Sequence, residues 1–192
     1  MQPIIQSVKN GIMKNLLENI ALRQLRAKAQ RQNSPLSFGD HFKDANRVLI
    51  CMPVSAIEFK SMAHAITLFR HSFPKAHITL LHPQAIAVPA NLTLGFEVVV
   101  WGPGDVDRVG RPAKALKSRL FAESFDVAID LNVSAHLFCM AVTVESGAKV
   151  RVGFSHAERS ELYNFLVRPE GENIERYPGI LLAYLGKGDR PS

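Results

Sequence analysis

The chain contains few cysteines, few tyrosines and tryptophans, and no long apolar run. Of its 192 residues, two are cysteine, three are tyrosine and one is tryptophan. Two cysteines are too few for a disulfide framework or a four-cysteine zinc site. Cys51 and Cys139 both lie in apolar runs, which favours buried thiols in a reducing compartment over a redox pair.

Neither a membrane span nor a secretory signal is evident in the sequence. No run approaches the roughly 18 apolar residues of a spanning helix, and the first residues lack the charged and apolar regions of a signal peptide. A composition of 47% hydrophobic, 21% charged and 8% aromatic residues is typical of one folded domain. We therefore expect a cytoplasmic globular protein.

Most of the positive charge lies near the N-terminus. The formal net charge is +6, and residues 1–46 contain seven Lys or Arg against three Asp or Glu. A basic chain can bind nucleic acid, but tyrosine and tryptophan are few and no nucleic-acid motif is present. We expect no nucleic-acid partner.

An amphipathic basic helix is predicted over residues 4–31. An apolar residue recurs every four positions, at Ile4, Val8, Ile12, Leu16 and Ile20. The stripe is widened by Ile5, Met13, Leu17, Leu22 and Leu25. The helix can pack this stripe on its own domain, which is the commoner arrangement. Alternatively, it can lie on an anionic membrane surface, which would place the protein at the inner face of the membrane.

From residue 47 onward, short apolar runs alternate with helical patterns. Strands are predicted at residues 47–52, 77–81, 96–101, 125–131 and 149–154. Helices are predicted at residues 57–72, 112–124, 134–146 and 174–185, the last with Asn173 as its cap. This alternation predicts an α/β, Rossmann-like three-layer αβα fold with a mostly parallel sheet. We expect that domain to span residues 47–192, after a helix and a polar linker in residues 1–46.

Several common catalytic and binding motifs are absent from the sequence. The first strand–helix turn, residues 53–58, contains no glycine, so the dinucleotide fingerprint is missing. The chain contains no phosphate-binding loop, no H-E-x-x-H pair and no G-x-S-x-G elbow. Its seven histidines show no metal-ligand spacing. We therefore expect no bound metal.

Polar residues follow two predicted strands at their carboxyl ends, where parallel sheets bind ligands. Ser55 and Glu58 have capping-box spacing, so Ser55 can cap the next helix while Glu58 bonds back to its amide. Alternatively, Glu58 is a general base at the mouth of the first strand. Asp130 and Asn132 can orient a ligand or bind loop amides. His136 is either a ligand contact or a tolerated helix residue.

Four parts of the chain resemble the ADP-heptose:lipopolysaccharide heptosyltransferases, a glycosyltransferase family with the two-domain GT-B architecture. They are residues 47–50 with 65–74, residues 125–132, residues 149–154, and residues 173–177 with 181–186. The segment FDVAIDLN is similar to the family's YDLVIDLQ, and KVRVGF is similar to its RRIGF. The resemblance extends from residue 47 to about residue 186, and it implies the N-terminal, acceptor-binding half of such an enzyme.

The resemblance also implies roles for the candidate residues. Glu58 falls at the position of the family's acceptor-deprotonating aspartate, and Ser55 falls at a neighbouring serine. Asp130, Asn132 and His136 would line the acceptor site. The implied partners are a lipid-linked saccharide acceptor of lipopolysaccharide synthesis and a donor half, encoded separately or in a longer chain. That donor half would bind a nucleotide sugar such as ADP-heptose, and this chain would hold no cofactor.

A second hypothesis is a non-catalytic binding or scaffold module that kept the fold. Ile57 replaces a glycine of the family's turn, and only six residues follow Gly186. The N-terminal helix could then mediate self-association, which would make the protein a homo-oligomer. A third hypothesis is an unrelated flavodoxin-like domain that binds a small nucleotide, because such folds serve many functions.

Overall fold

Six parallel strands form the centre of the protein. The computed structural model describes residues 2–33, 42, 44–63, 66–155, 161–168 and 176–186. Its strands are β1 (Arg47–Cys51), β2 (His77–Pro83), β3 (Glu97–Trp101), β4 (Val127–Asp130), β5 (Val150–Phe154) and β6 (Phe165–Val167). They form one sheet in the order β3-β2-β1-β4-β5-β6, and every pairing is parallel. The predicted α/β, Rossmann-like fold is therefore confirmed.

Helices connect most of the strands. The described helices are α1 (Gln2–Gln32), α2 (Ala56–Met62), α3 (Ile66–Ser72), α4 (Ala90–Thr93), α5 (Lys114–Leu120), α6 (Leu137–Glu145) and α7 (Tyr177–Gly186). The single helix predicted over residues 57–72 is found as α2 and α3. Asn173 and most of the predicted linker lie outside the described residues. Within the described ranges, no helix has both the length and the apolar character needed to cross a bilayer.

The strand sequences are nearly continuous apolar runs because other elements pack on both faces of the sheet. Val48 and Ile50 of β1 belong to a buried cluster that includes residues of α2 and α3. Leu49 and Cys51 of the same strand belong to a second cluster, with residues of α5 and α6. Alternate side chains of one strand thus fill two separate cores.

Several elements differ from the prediction made from the sequence, and two of these differences have a physical explanation. β6 has three residues, which is too short to give a periodic hydrophobic pattern. α6 begins at Leu137 rather than at Ser134. The reason is that the amide and the hydroxyl of Ser134 both bind Glu58, so Ser134 does not cap the helix.

The C-terminal half of α1 packs on the domain through one side. Ala21, Leu25 and Ala29 are buried, and the last two share a cluster with residues of α6. Leu16 and Ile20, which the sequence pattern placed in the packing stripe, are exposed. A step of four residues advances about 40° around a helix, so a four-residue repeat turns away from any one face. The helix packs on its own domain as expected, through Leu22 and Leu25 of the predicted stripe but not through Leu16 and Ile20.

A buried arginine links β5 to the end of α1. Arg151 donates from Nε to the Leu162 carbonyl at 2.9 Å and from Nη1 to the Ala148 carbonyl at 3.2 Å. Its Nη2 donates to the Ala29 carbonyl at 3.3 Å and to Asn33 Oδ1 at 2.5 Å. The Ala29 carbonyl is one of the last four of the helix, which lack partners within it, and a cation is favourable there. Burial lowers the pKa of the Arg151 guanidinium.

Candidate functional site

The turn between β1 and α2 is fixed by Ser55 and Glu58. Ser55 has extended backbone angles, and its hydroxyl accepts the Glu58 N–H at 3.4 Å, so Ser55 caps α2. A capping box would also return the Glu58 carboxylate to the Ser55 amide. Instead, that carboxylate binds the loop after β4, so Glu58 connects two loops at the carboxyl edge of the sheet.

The Glu58 carboxylate accepts three hydrogen bonds from this loop. The Val133 N–H donates to Oε2 at 3.1 Å, and the Ser134 N–H and hydroxyl donate to Oε1 at 3.2 and 2.7 Å. Glu58 is 6% exposed. An ionised carboxylate has about four acceptor positions. Three are therefore filled, and the remaining position is on Oε2.

Asp130 and Asn132 form a second hydrogen-bonded group at the end of β4. The Asn132 N–H and Nδ2 donate to Asp130 Oδ1 at 3.0 and 2.7 Å, and the Tyr163 hydroxyl donates to Oδ2 at 2.6 Å. Asn132 Oδ1 accepts the Val54 N–H at 2.9 Å. Both Asp130 and Asn132 are buried. They therefore link the loop after β4 to the loop after β1 and to the segment before β6.

The surroundings of Asp130 keep three neighbouring acids protonated. Burial, followed by the Asp130 charge, raises the pKa of Cys51 and Cys139 well above the ordinary thiol value of 9.0. The same causes raise the pKa of Tyr163 well above 10.0. Both thiols are neutral at physiological pH and are unsuited to act as nucleophiles. In the part of the chain that the structure describes, no three metal-binding side chains come together.

A cleft of about 1250 Å³ lies beside the carboxyl ends of β3 and β4. One wall is formed by residues of α1 between Leu16 and Arg26. The others are the loop after β3, residues 106–110, and the start of α6 with the residues just before it. In parallel α/β sheets, ligands bind at this edge, so the cleft is the first candidate for a binding site.

The cleft combines aromatic rings with cationic side chains. Trp101 stacks on Phe138 with ring centroids 4.0 Å apart, and the His136 ring centroid lies 5.8 Å from that of Trp101. Nε1 of Trp101 is buried and has no hydrogen-bond partner among the described residues. Charged side chains of both signs also line the cleft, namely Arg23, Arg26 and Arg108 with the acidic Glu18 and Asp107. The site therefore offers an apolar ring surface, one unsatisfied donor and guanidinium groups.

The predicted site residues fall into two places in the structure. Ser55, Glu58, Asp130 and Asn132 join the loops after β1 and β4, and none of them is among the described residues that line the cleft. His136 does line it. The roles of these five residues in binding or catalysis stay predictions. The loop after β3 lies in residues 102–111, a segment that the sequence places at the ligand-binding edge of the sheet. Sequence reasoning missed the cleft residues of α1 and missed Trp101, although that tryptophan ends a predicted strand at the same edge.

Comparisons with known proteins agree with the fold. A family described as "Family of unknown function (DUF6913)" matches residues 95–187, which is just under half of the chain. The comparison with curated proteins gives no match. A solved structure of a glycosyl transferase family 9 protein from Veillonella parvula DSM 2008 is similar to 80% of this chain, with a TM-score of 0.53 and 14% sequence identity. This chain spans 43% of that protein. At this level of identity the likeness shows a shared glycosyltransferase-like α/β fold.

Proposed function

We propose that this domain binds the saccharide acceptor of a glycosyltransferase-like reaction. The main support is the position of the cleft, which lies at the carboxyl edge of the sheet, where such sheets bind ligands. The likeness to a glycosyl transferase family 9 structure adds support, because this chain spans 43% of that protein. That share fits one half of a two-domain enzyme.

The side chains of the cleft suit a saccharide. The ring of Trp101 stacks on Phe138 by one face, and its other face would contact the C–H groups of a sugar. Its buried N–H has no acceptor among the described residues, and a sugar hydroxyl would supply one. Arg108 would bind an acidic group, such as one of a lipid-linked, inner-core saccharide of lipopolysaccharide. His136 would contact the same ligand from the start of α6.

In the proposed reaction, a hydroxyl of the acceptor attacks the anomeric carbon of a nucleotide sugar such as ADP-heptose. A glycosidic C–O bond forms, the bond between the sugar and the nucleotide phosphate breaks, and ADP leaves. Glu58 is the candidate base for the hydroxyl proton, through the acceptor position that the described residues leave on Oε2. Because Glu58 does not line the cleft, the acceptor would have to extend from the cleft to the start of α2. The donor would be held by a second half, because the rate of such a transfer depends on aligning both substrates.

A non-catalytic saccharide-binding module is the second candidate, and the bonding of Glu58 favours it. Three acceptor positions of the carboxylate already bind Val133 and Ser134, and the side chain is buried. In this case Glu58 is a positioning residue that holds the loop after β4, and the cleft binds its ligand without turnover.

Turnover measurements distinguish these two functions. The full chain is given ADP-heptose and a truncated inner-core acceptor, with and without extract from the source cells, and the product is identified by mass. We expect product only with extract, because the extract supplies the donor half. Glu58→Gln should lower turnover by about 100-fold, whereas the exposed control Glu123→Gln should leave it unchanged.

The other outcomes are also decisive. If the acceptor binds but no product forms in any condition, the result would contradict the enzymatic function and support the non-catalytic saccharide-binding module. Failure of the acceptor to bind at all would contradict both functions. Turnover by the chain without extract would contradict the need for a second half.

A further inference from the structure

From Met13 to Arg31, one side of α1 is exposed, and it is apolar at one end and cationic at the other. The side chains on this stripe follow one another at intervals of three or four residues. They are Met13, Leu16, Ile20, Arg23, Ala27 and Arg31, and all are exposed. The three large apolar members are strongly exposed: Met13 is 58%, Leu16 54% and Ile20 44% exposed. Large side chains with this exposure, on adjacent turns, form a contiguous apolar surface.

This exposed stripe is separate from the side that packs on the domain. Ala21, Leu25 and Ala29 are buried against the domain, and at about 100° per residue they lie on nearly the opposite side of the helix from Leu16. The anchor at Arg151 holds the C-terminal end of α1 to β5. The helix is therefore fixed by one face while its second apolar face remains uncovered.

The charge of α1 indicates what covers this face. Residues 2–32 contain six Lys or Arg and one acidic residue, Glu18. Two copies of such a helix would bring like charges together, which opposes self-association through this face. An anionic lipid surface instead supplies both an apolar layer and negative phosphates. Arginine can keep its guanidinium at the phosphates while its stem lies along apolar groups.

We propose that α1 docks on an anionic lipid bilayer, lying in the interface. Met13, Leu16 and Ile20 enter the headgroup layer, and Arg23 and Arg31 contact lipid phosphates. Leu16, Ile20 and Arg23 also line the cleft, so docking brings the cleft next to the membrane surface. This inference does not depend on glycosyl transfer, since the contact needs only the stripe and its charges.

Vesicle co-sedimentation of the full chain tests the proposal. We expect the protein to pellet with vesicles of phosphatidylcholine and phosphatidylglycerol, and to stay in solution with phosphatidylcholine alone. Leu16→Glu/Ile20→Glu should weaken binding at least about tenfold, because it removes apolar area and adds negative charge. Arg23→Gln/Arg31→Gln should weaken it and reduce its dependence on salt. The control is Leu68→Glu, since Leu68 on α3 is 44% exposed, as Ile20 is.

Three results would overturn the proposal. The first is a wild-type chain that fails to pellet with the anionic vesicles. The second is equal loss of binding in Leu68→Glu, which would mean that any exposed apolar residue matters. The third is a wild-type chain that does not bind vesicles but is a dimer in sedimentation velocity, and that becomes a monomer in Leu16→Glu/Ile20→Glu. In that case the exposed stripe of α1 binds a second copy of the chain. Circular dichroism and thermal unfolding of each variant establish that it is folded.

Discussion

Replacing Arg151 by methionine tests the anchor between β5 and α1. The guanidinium makes four hydrogen bonds, to the carbonyls of Leu162, Ala148 and Ala29 and to Asn33 Oδ1. Arg151 has no solvent exposure, so methionine would fill part of the space and leave these acceptors without a donor. Hydrogen bonds to charged groups contribute about 1.5–3 kcal/mol each, but desolvation of the cation offsets much of their sum.

From these terms we expect Arg151→Met to lower the free energy of unfolding by about 3–5 kcal/mol. For a chain of this size, each kcal/mol lowers Tm by about 2–4 °C. Urea denaturation gives the free energy, and hydrogen exchange locates the damage. Exchange should increase most at residues 22–32, because two of the four bonds hold the end of α1.

The matched control is Arg119→Met, because Arg119 is exposed and makes one long bond, of 3.4 Å, to the Val100 carbonyl. It should change stability by less than about 0.5 kcal/mol. A loss below about 1 kcal/mol for Arg151→Met, or exchange that increases evenly over the chain, would refute the idea that this arginine anchors the helix.

Three further predictions concern the carboxyl edge of the sheet. Gly153→Ala should destabilise the protein by about 1–3 kcal/mol, because a Cβ there would lie 2.8 Å from the Tyr163 ring. Gly104→Ala is the neutral control, since the space around Gly104 is open. Equal Tm values for the two variants would contradict the contact with Tyr163. Glu58→Ala should lower the free energy of unfolding by about 1–3 kcal/mol. It should also increase hydrogen exchange at the amides of Val133 and Ser134, which donate to the Glu58 carboxylate. Unchanged exchange at these two amides would contradict the hydrogen bonding. The free energy of unfolding should be highest below the ordinary thiol pKa of 9.0 and should decline as the pH rises above it. The reason is that burial raises the pKa of Cys51, Cys139 and Tyr163 in the folded chain only, so the unfolded chain loses their protons first. A free energy of unfolding that stays constant up to pH 10 in urea denaturation would contradict this prediction.

The sequence was most informative where one local pattern determines the structure. Buried parallel strands need apolar residues on both faces, so runs such as residues 47–51 identified β1 and its neighbours. The position of Asp130 at the end of a strand also followed from this pattern. β6 did not, because three residues give no periodicity.

Contacts between distant residues could not be predicted in this way. Tyr163 binds Asp130 across 33 positions of sequence, and Arg151 reaches α1 across more than 100. Nothing local in a strand residue indicates such a partner. The same holds for the start of α6, because Ser134 donates to the carboxylate of Glu58 in the first turn of α2 and does not cap α6. The cleft depends on where α1 packs, so its α1 wall was not evident from the residues alone.

The most direct test of the central claim is whether a saccharide acceptor binds in the cleft. Trp101 is the sole tryptophan of the chain and lines the cleft, so its fluorescence reports on occupancy without a label. Titration with a truncated inner-core saccharide should shift this emission to saturation, and calorimetry should give the same Kd. His136→Ala should weaken binding, whereas His71→Ala, on the exposed side of α3, should not. Absence of any saturable shift or heat would contradict the account.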